Sequence, residues 1–255
     1  VNPFDALMRA APGDPQDVDV ETLQVVREAM VDCIDLLTPE HQWIINSLYM
    51  ERLTTRAVGK QLGISHVHVM RLRNVALQQL QATLSLHPII RERLKMDDVW
   101  ESAAFNHLLT LHTDYTGDTK DDLRTQINTA WTLVGAGSVS QKARDKAVDA
   151  LSLLGGWAMA HTPQYRENSM EYLMRVTDLL ASKQHDYGSG NINRFGLVGL
   201  VVRMSDKVER YENLRNRPTP SNETLQDTLD DMVGYAVIAR MVLDNSFNLP
   251  LGADL

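Results

Sequence analysis

Apolar residues recur at spacings of three and four along most of this chain, and no stretch alternates convincingly enough to read as a strand. The period predicts helices over 20–37, 39–51, 54–62, 66–84, 98–112, 120–134, 138–160, 167–184, 195–214 and 222–244, hence an all-α fold. "APGDPQDVD" at 11–19 reads as a loose leader, and "GAG" at 135–137 and "TP" at 162–163 as helix breakers. "RPTPSN" at 217–222 reads as a loop in which Ser221 or Asn222 can cap the last helix. Past Asn245 the period fades, and no internal repeat is visible.

Composition adds bounds. At 255 residues and 44% hydrophobic, the chain can bury one large or two small cores. Charge interrupts every apolar run before it reaches the ~18–20 residues of a membrane helix, so no membrane partner is expected. The beginning carries Asp5 and no charged-then-apolar leader, so no export signal is expected either. A single cysteine, Cys33, excludes an intrachain disulfide and a cysteine-based zinc site, suits a reducing cytoplasm, and reads most simply as a small buried apolar residue. The net charge of −8 is uneven: residues 1–37 carry −6, 38–96 carry +5 and 97–255 carry −7. A basic middle between acidic flanks leaves room for a local nucleic-acid contact. The expected organisation is an acidic leader and helix over 1–37, a basic module over 38–96, a helical connector over 97–165 and a C-terminal helical domain over 166–255.

The basic module reads "LTPEHQWIINSLYMERLTTRAVGKQLGISHVHVMRLRNVALQQLQATL". Gly59 is the small residue a helix crossing needs, and Gly63, four later, suits a turn with positive φ. Val58, Leu62, Ile64, Val69 and Leu72 can lock two helices together, Thr54 or Thr55 can cap the first and Ser65 the second. That is a helix-turn-helix whose second helix offers Ser65, His66, Val67, His68, Met70, Arg71, Arg73 and Asn74 to DNA. Residues 37–85 resemble the region-four DNA-binding module of bacterial sigma factors, which implies contact with DNA or RNA polymerase. Two features depart from that family. His66 and His68 stand where arginine is usual, so charge on phosphate is weaker at neutral pH, and too little chain lies upstream for a promoter-opening module. A bundle that never meets DNA, or a protein-docking version of the motif, is the competing reading.

The C-terminal part carries the other candidate chemistry. In "GLVGLVVRMSDKVERYENL", Leu197, Leu200, Val201, Met204, Val208 and Tyr211 share one face, and Asp206 and Glu209 lie opposite. Arg203, Lys207 and Arg210 form a basic stripe beside them. In "NETLQDTLDDMVGYAVIARMVLDN", Glu223, Asp227, Asp230 and Asp231 fall within roughly 100° of arc. Gly234, Ile238 and Met241 continue that strip, and beyond Asp231 the helix is apolar nearly all round, so its carboxylates run off a buried helix. Unpaired, they would repel and lose hydration. Bound Mg²⁺ (or Mn²⁺) would relieve both costs, and so would salt bridges on solvated faces. Just upstream, "HDYGSGN" at 185–191 places Asp186, Tyr187 and Asn191 in a loop that reads as a pocket rim or as an ordinary helix stop.

The carboxylate pattern resembles the all-α nucleotide pyrophosphohydrolases of the MazG and dimeric dUTPase type. Asp186-Tyr187-Gly188, Phe195-Gly196, Arg203, Asp206-Lys207, Arg210, Asp227-Thr228, Asp231 and Tyr235 resemble, in order, the phage-borne family called nucleotide modification associated domain type one. The match spans residues 168–243. It implies a MazG-like helical bundle in the cytoplasm of a bacterial host, a nucleotide as partner and a homo-oligomer. It also implies that Asp206, Glu209, Asp227 and Asp231 hold Mg²⁺ as the catalytic and metal-binding set. Arg203, Lys207 and Arg210 would then neutralise phosphate, Asp186, Tyr187 and Asn191 would contact base or sugar, and an activated water would release pyrophosphate. Aspartates stand where that class has glutamates, which leaves turnover open. Three functions follow: a pyrophosphohydrolase fused to a DNA-binding module, a non-catalytic sigma-like regulator or nucleotide sensor, and a half that only oligomerises.

Other sites fail on spacing. "AVGKQLG" lacks the glycines of a phosphate loop, and "GAGSVS" follows a helix rather than a strand. His107 and His112, five apart, share no helical face for zinc. No strand-turn-helix elbow presents a nucleophilic serine. Trp100, Trp131, Trp157 and Phe105 read most simply as core.

Overall fold

Local capping chemistry divides the chain. A computed structural model describes residues 20–93, 98–117, 122–135, 139–215 and 224–252. Among the described residues there are twelve α-helices and no strand, so the fold is all-α. The readings at 11–19 and 217–222, and Glu223, lie outside the described residues. The chain divides into two compact units: Val1–Asp97 with Glu167–Tyr172, and Asp98–Arg166 with Leu173–Leu255.

The first unit holds α1 (Val20–Asp35), α2 (Pro39–Ile45, running on through a π-helical turn Asn46–Met50), α3 (Thr55–Leu62), α4 (His66–Leu86) and α5 (Pro88–Arg93). Thr38 accepts from the His41 amide ahead of Pro39, Thr54 from the Ala57 amide, and Ser65 from the His68 amide, so three of these helices begin on a hydroxyl cap. Helix α3 ends at Gly63 in the left-handed conformation. Ile44, Val58 and Val69 form a fully buried cluster with Leu48, Leu53, Leu62, Ile64 and Leu72 packed against it. At Gly59 a Cβ would sit 2.7 Å from the Ile64 carbonyl oxygen, so only glycine lets the turn fold back so closely. Cys33 is completely buried beside α1's other core residues, and burial pushes its thiol far above the usual range, which leaves it inert.

The second unit holds α6 (Trp100–Asp114), α7 (Leu123–Val134), α8 (Gln141–His161), α9 (Pro163–Glu167), α11 (Gly190–Leu214) and α12 (Leu225–Leu243), with a 3₁₀ turn Ser246–Asn248. Helix α10 (Ser169–Tyr187) gives residues 169–172 to the first unit and the rest to the second. The segment read as a connector supplies the centre of this bundle: α8 packs against α6, α7, α11 and α12. Gly155 on α8 meets Ala236 on α12 with no room for a Cβ between them, so the two axes run close. Leu151, Leu154, Ala158, Met232, Val233 and Val237, each at most 0% exposed, fill the seam. Burying a side chain of that size contributes about 1.5–3 kcal/mol.

Two sequence expectations change here. The stretch at 185–191 is mostly helical: α10 runs to Tyr187, Gly188 (φ 61°) turns the chain, and a new helical segment starts at Gly190. That segment kinks at Gly196 (φ 52°, ψ −143°), a conformation open only to glycine, before the amphipathic stretch begins. Among the aromatics, Trp100 and Phe105 are core at 1% and 0% exposure, whereas Trp131 is 49% exposed. Its neighbours on α7's inner face, Ile127, Ala130 and Val134, take the buried positions. Trp157 stacks on His161 and meets Tyr211 edge-on.

Gly59→Val should destabilise the first unit by about 1–3 kcal/mol in urea unfolding, because backbone at the turn must move. Lys60→Ala, at the exposed next position, should change stability by less than about 0.5 kcal/mol.

Candidate functional site

Helix α12 enters the core with two consecutive carboxylates, and each recruits its own cations. Asp230, 5% exposed, accepts Arg175 Nη2 at 2.8 Å and Gln226 Nε2 at 2.7 Å. Asp231 accepts Lys183 Nζ on one oxygen at 2.8 Å and Lys207 Nζ on the other at 2.7 Å. Its side chain is only 16% exposed. Burial raises its pKa, but the two ammonium groups outweigh burial and hold it below the ordinary value of 3.8. One carboxylate therefore links α10, α11 and α12.

Beside it opens a cavity of about 400 Å³. Among the described residues, Lys183, Arg203 and Lys207 face it together with Asp231, a formal balance of three cations less one anion, or +2. Lys207 is held by Asp231, while Arg203, partly buried, makes no hydrogen bond or ion pair with the described residues. Gln184 and Asn191 add neutral polar groups, and Leu180, Ile192 and Ile238 add aliphatic wall. Four aromatic rings complete it. Tyr187, 80% exposed, stands at the rim, Tyr235 lies further along α12, and Trp100 and Phe247 meet edge-to-face at 6.3 Å. The lining thus combines cations with aromatic rings, a makeup that suits a charged heterocycle.

Of the residues read as nucleotide-binding, Tyr187, Asn191, Arg203 and Lys207 line this cavity. Asp186 does not; it is exposed, 3.2 Å from its neighbour His185. Arg210 turns to α12, where its Nε donates to Thr228 Oγ1 at 3.0 Å. The four carboxylates read as a metal set lie apart in role. Asp206 is exposed and has no partner among the described residues. Glu209 takes a two-pronged bond from Arg124, both contacts at 2.7 Å. Asp227 closes a capping box with Thr224, accepting from that residue's amide at 2.8 Å and hydroxyl at 2.7 Å. Asp231 is occupied by its two lysines. Among the described residues no group of three or more His, Cys, Asp or Glu side chains could hold a metal ion. The cap of α12 is Thr224, not Ser221 or Asn222, and T-x-x-D was legible as a capping box.

Sequence reasoning missed Lys183, Gln184 and Leu180. The signal was present: Leu180, Lys183, Gln184 and Tyr187 sit three and four apart and share one helix face once α10 runs to Tyr187. Trp100 and Phe247 carried no such signal, because they arrive from distant parts of the chain. Gly234 also lines the cavity, but a Cβ there would lie 2.8 Å from Leu180 Cδ2, so this glycine serves helix packing.

Two further clusters lie in this unit. His107 sits between Asp244, at 2.8 Å from Nε2, and Arg240 Nε, which donates to Nδ1 at 3.4 Å. Burial raises Asp244, but bonds from His107 and Ser246 outweigh it and hold it at about 2. His112 instead lies 2.6 Å from the Tyr165 hydroxyl. In the first unit, His66, Val67, His68, Met70, Arg71 and Asn74 are all exposed along α4, and Arg73 donates to the Asn74 side-chain oxygen at 2.8 Å. No described helix is long and apolar enough to cross a membrane.

Comparison with protein-family models, with curated proteins and with solved structures finds no match to this chain.

Asp227, Asp231 and Asp244 all lie below 3.8 in the folded chain. Each therefore contributes stability that is full above 3.8 and is lost as pH falls through its lower folded value. Urea unfolding between about pH 6 and about pH 2 should show stability falling on acidification, with a shallower fall in Asp231→Asn. An equal slope in wild type and variant would count against the ion-paired carboxylate.

Proposed function

We propose that the second unit is a nucleotide-binding module and that its ligand occupies the cavity beside Asp231. The observation that carries this reading is Arg203: a partly buried guanidinium in a wall of net charge +2, without a protein counter-ion among the described residues. A guanidinium presents a planar fork that fits phosphate. The aromatic rim at Tyr187 and Tyr235 suits a base. The same residues stand at the positions that resemble the nucleotide modification associated family, which supports the assignment from a second direction.

Binding is favoured over hydrolysis. Mg²⁺-dependent pyrophosphate release needs carboxylates that converge on a metal, and the donors here do not fit one: Asp231 is bound by two ammonium groups, Glu209 by a guanidinium and Asp227 by a cap. A panel of nucleoside mono-, di- and triphosphates, with and without Mg²⁺, should raise the melting temperature without releasing pyrophosphate. Tyr187→Ala should weaken binding several-fold with little loss of fold stability, because the side chain is 80% exposed. Pyrophosphate release lost in Asp231→Ala would return the hydrolase reading; no melting shift with any nucleotide would remove both.

For the first unit we propose DNA contact through α4. Support comes from the close turn at Gly59, the hydroxyl caps and the exposed row His66, Val67, Met70, Arg71 and Asn74. Residues 38–96 carry +5. Binding to duplex DNA should fall steeply with salt and be lost in Arg71→Ala with Arg73→Ala. Salt-independent binding, or none, would favour protein docking.

A further inference from the structure

We infer that the cavity takes a metal-free phosphate monoester, of the nucleoside monophosphate class, and that Asp231 is the ligand's built-in competitor. This rests on the nucleotide-binding reading and names the ligand class and the residue that sets its affinity.

Charge selects the ligand class. A divalent cation placed in this wall would face Lys183, Arg203 and Lys207, all like-charged. Among the described residues, the only carboxylate lining the cavity already has an ammonium on each oxygen, at 2.8 Å and 2.7 Å. The cations therefore stand where a metal would otherwise neutralise phosphate. A terminal phosphate monoester carries about −1.5 to −2 charges at neutral pH, which matches the wall's balance of three cations less one anion. A metal-free triphosphate would bring more negative charge than that balance offsets.

Geometry sets how Asp231 acts. It takes one of the three ammonium donors of each lysine, and Lys207 has a further interaction besides, so Lys183 and Arg203 are the cations the ligand addresses first. The carboxylate holds both lysines toward the cavity while competing for them. Arg203 supplies the part of the site that Asp231 does not occupy. An incoming phosphate would take Arg203 and share the lysines, and Asp231 would repel it. Asp231 thus orders the site and lowers its affinity at once. This makes a prediction opposite in sign to a metal-ligand role: removing its charge should tighten binding.

The test is calorimetric titration of the full chain with the four deoxynucleoside monophosphates, the matching triphosphates and inorganic phosphate, in EDTA and in Mg²⁺. Monophosphate binding should be the same in both buffers. Asp231→Asn, which keeps the shape, should bind monophosphate several-fold more tightly, and Arg203→Ala about tenfold more weakly. Binding of a triphosphate only with Mg²⁺, or weaker monophosphate binding by folded Asp231→Asn, overturns the inference while leaving nucleotide binding intact. Inorganic phosphate binding as well as the monophosphates also overturns it, since the base side would then be idle. No binding by any ligand removes the nucleotide reading itself. Should Asp231→Asn fail to give a wild-type thermal transition, Lys183→Met decides: weaker metal-free binding supports the inference and unchanged binding overturns it.

Discussion

A carboxylate on a buried helix must find a cation, and α12 carries two such carboxylates in succession. Residues 230 and 231 point about 100° apart around the helix. They therefore cannot share one partner. Asp230 draws in Arg175, and Asp231 draws in Lys183 and Lys207. Each pair ties a neighbouring helix to α12, and the Lys207 pair is the most enclosed, its side chains 17% and 16% exposed. Leu180, Val201 and Met204 are buried on α10 and α11, and the cavity lies where α10, α11 and α12 meet around Asp231.

The same constraint decides what the cavity can do. On α11 the acidic and basic residues alternate closely in sequence, yet the helix separates them by direction. Arg203 and Lys207 face inward to the cavity, while Asp206 and Glu209 face outward, Glu209 to Arg124 on α7. A surface that looked like paired carboxylates with supporting bases is therefore a cationic wall with one internal anion. That composition supports the phosphate proposed as its ligand. Aromatic rings at Tyr187, Tyr235, Trp100 and Phe247 line the same cavity, which supports the heterocyclic end proposed for that ligand.

The first unit works by a different physical device. There the decisive feature is absence of bulk at Gly59, which lets the turn close on Ile64 and brings Val58 and Val69 into one dry cluster with Ile44. With the apolar residues turned inward, α4 presents its polar row, and two of the exposed positions, Val67 and Met70, are apolar at 47% and 41% exposure. Apolar positions beside polar ones support the DNA contact proposed for this face, since thymine methyl groups offer apolar contacts in the major groove.

Helix limits, caps and faces were legible in the sequence because each is set within about four residues. The turn at Gly63, the caps at Thr54 and Ser65, and the buried face Leu197, Leu200, Val201, Met204 and Val208 all follow from local spacing. So did the clustering of Asp227, Asp230 and Asp231 on one strip, whereas the grouping of Tyr187, Asn191, Arg203 and Lys207, with Asp186 and Arg210, came from the resemblance, and only the first four line the cavity. What those carboxylates do was decided only by the tertiary structure. Nothing local says that Lys183, 48 residues before Asp231, will reach it, that Arg124 will take Glu209, or that Trp100 and Phe247 will line the same cavity. Helical period is a property of neighbours along the chain, whereas the partner of a charge depends on which helices the packed core brings within reach.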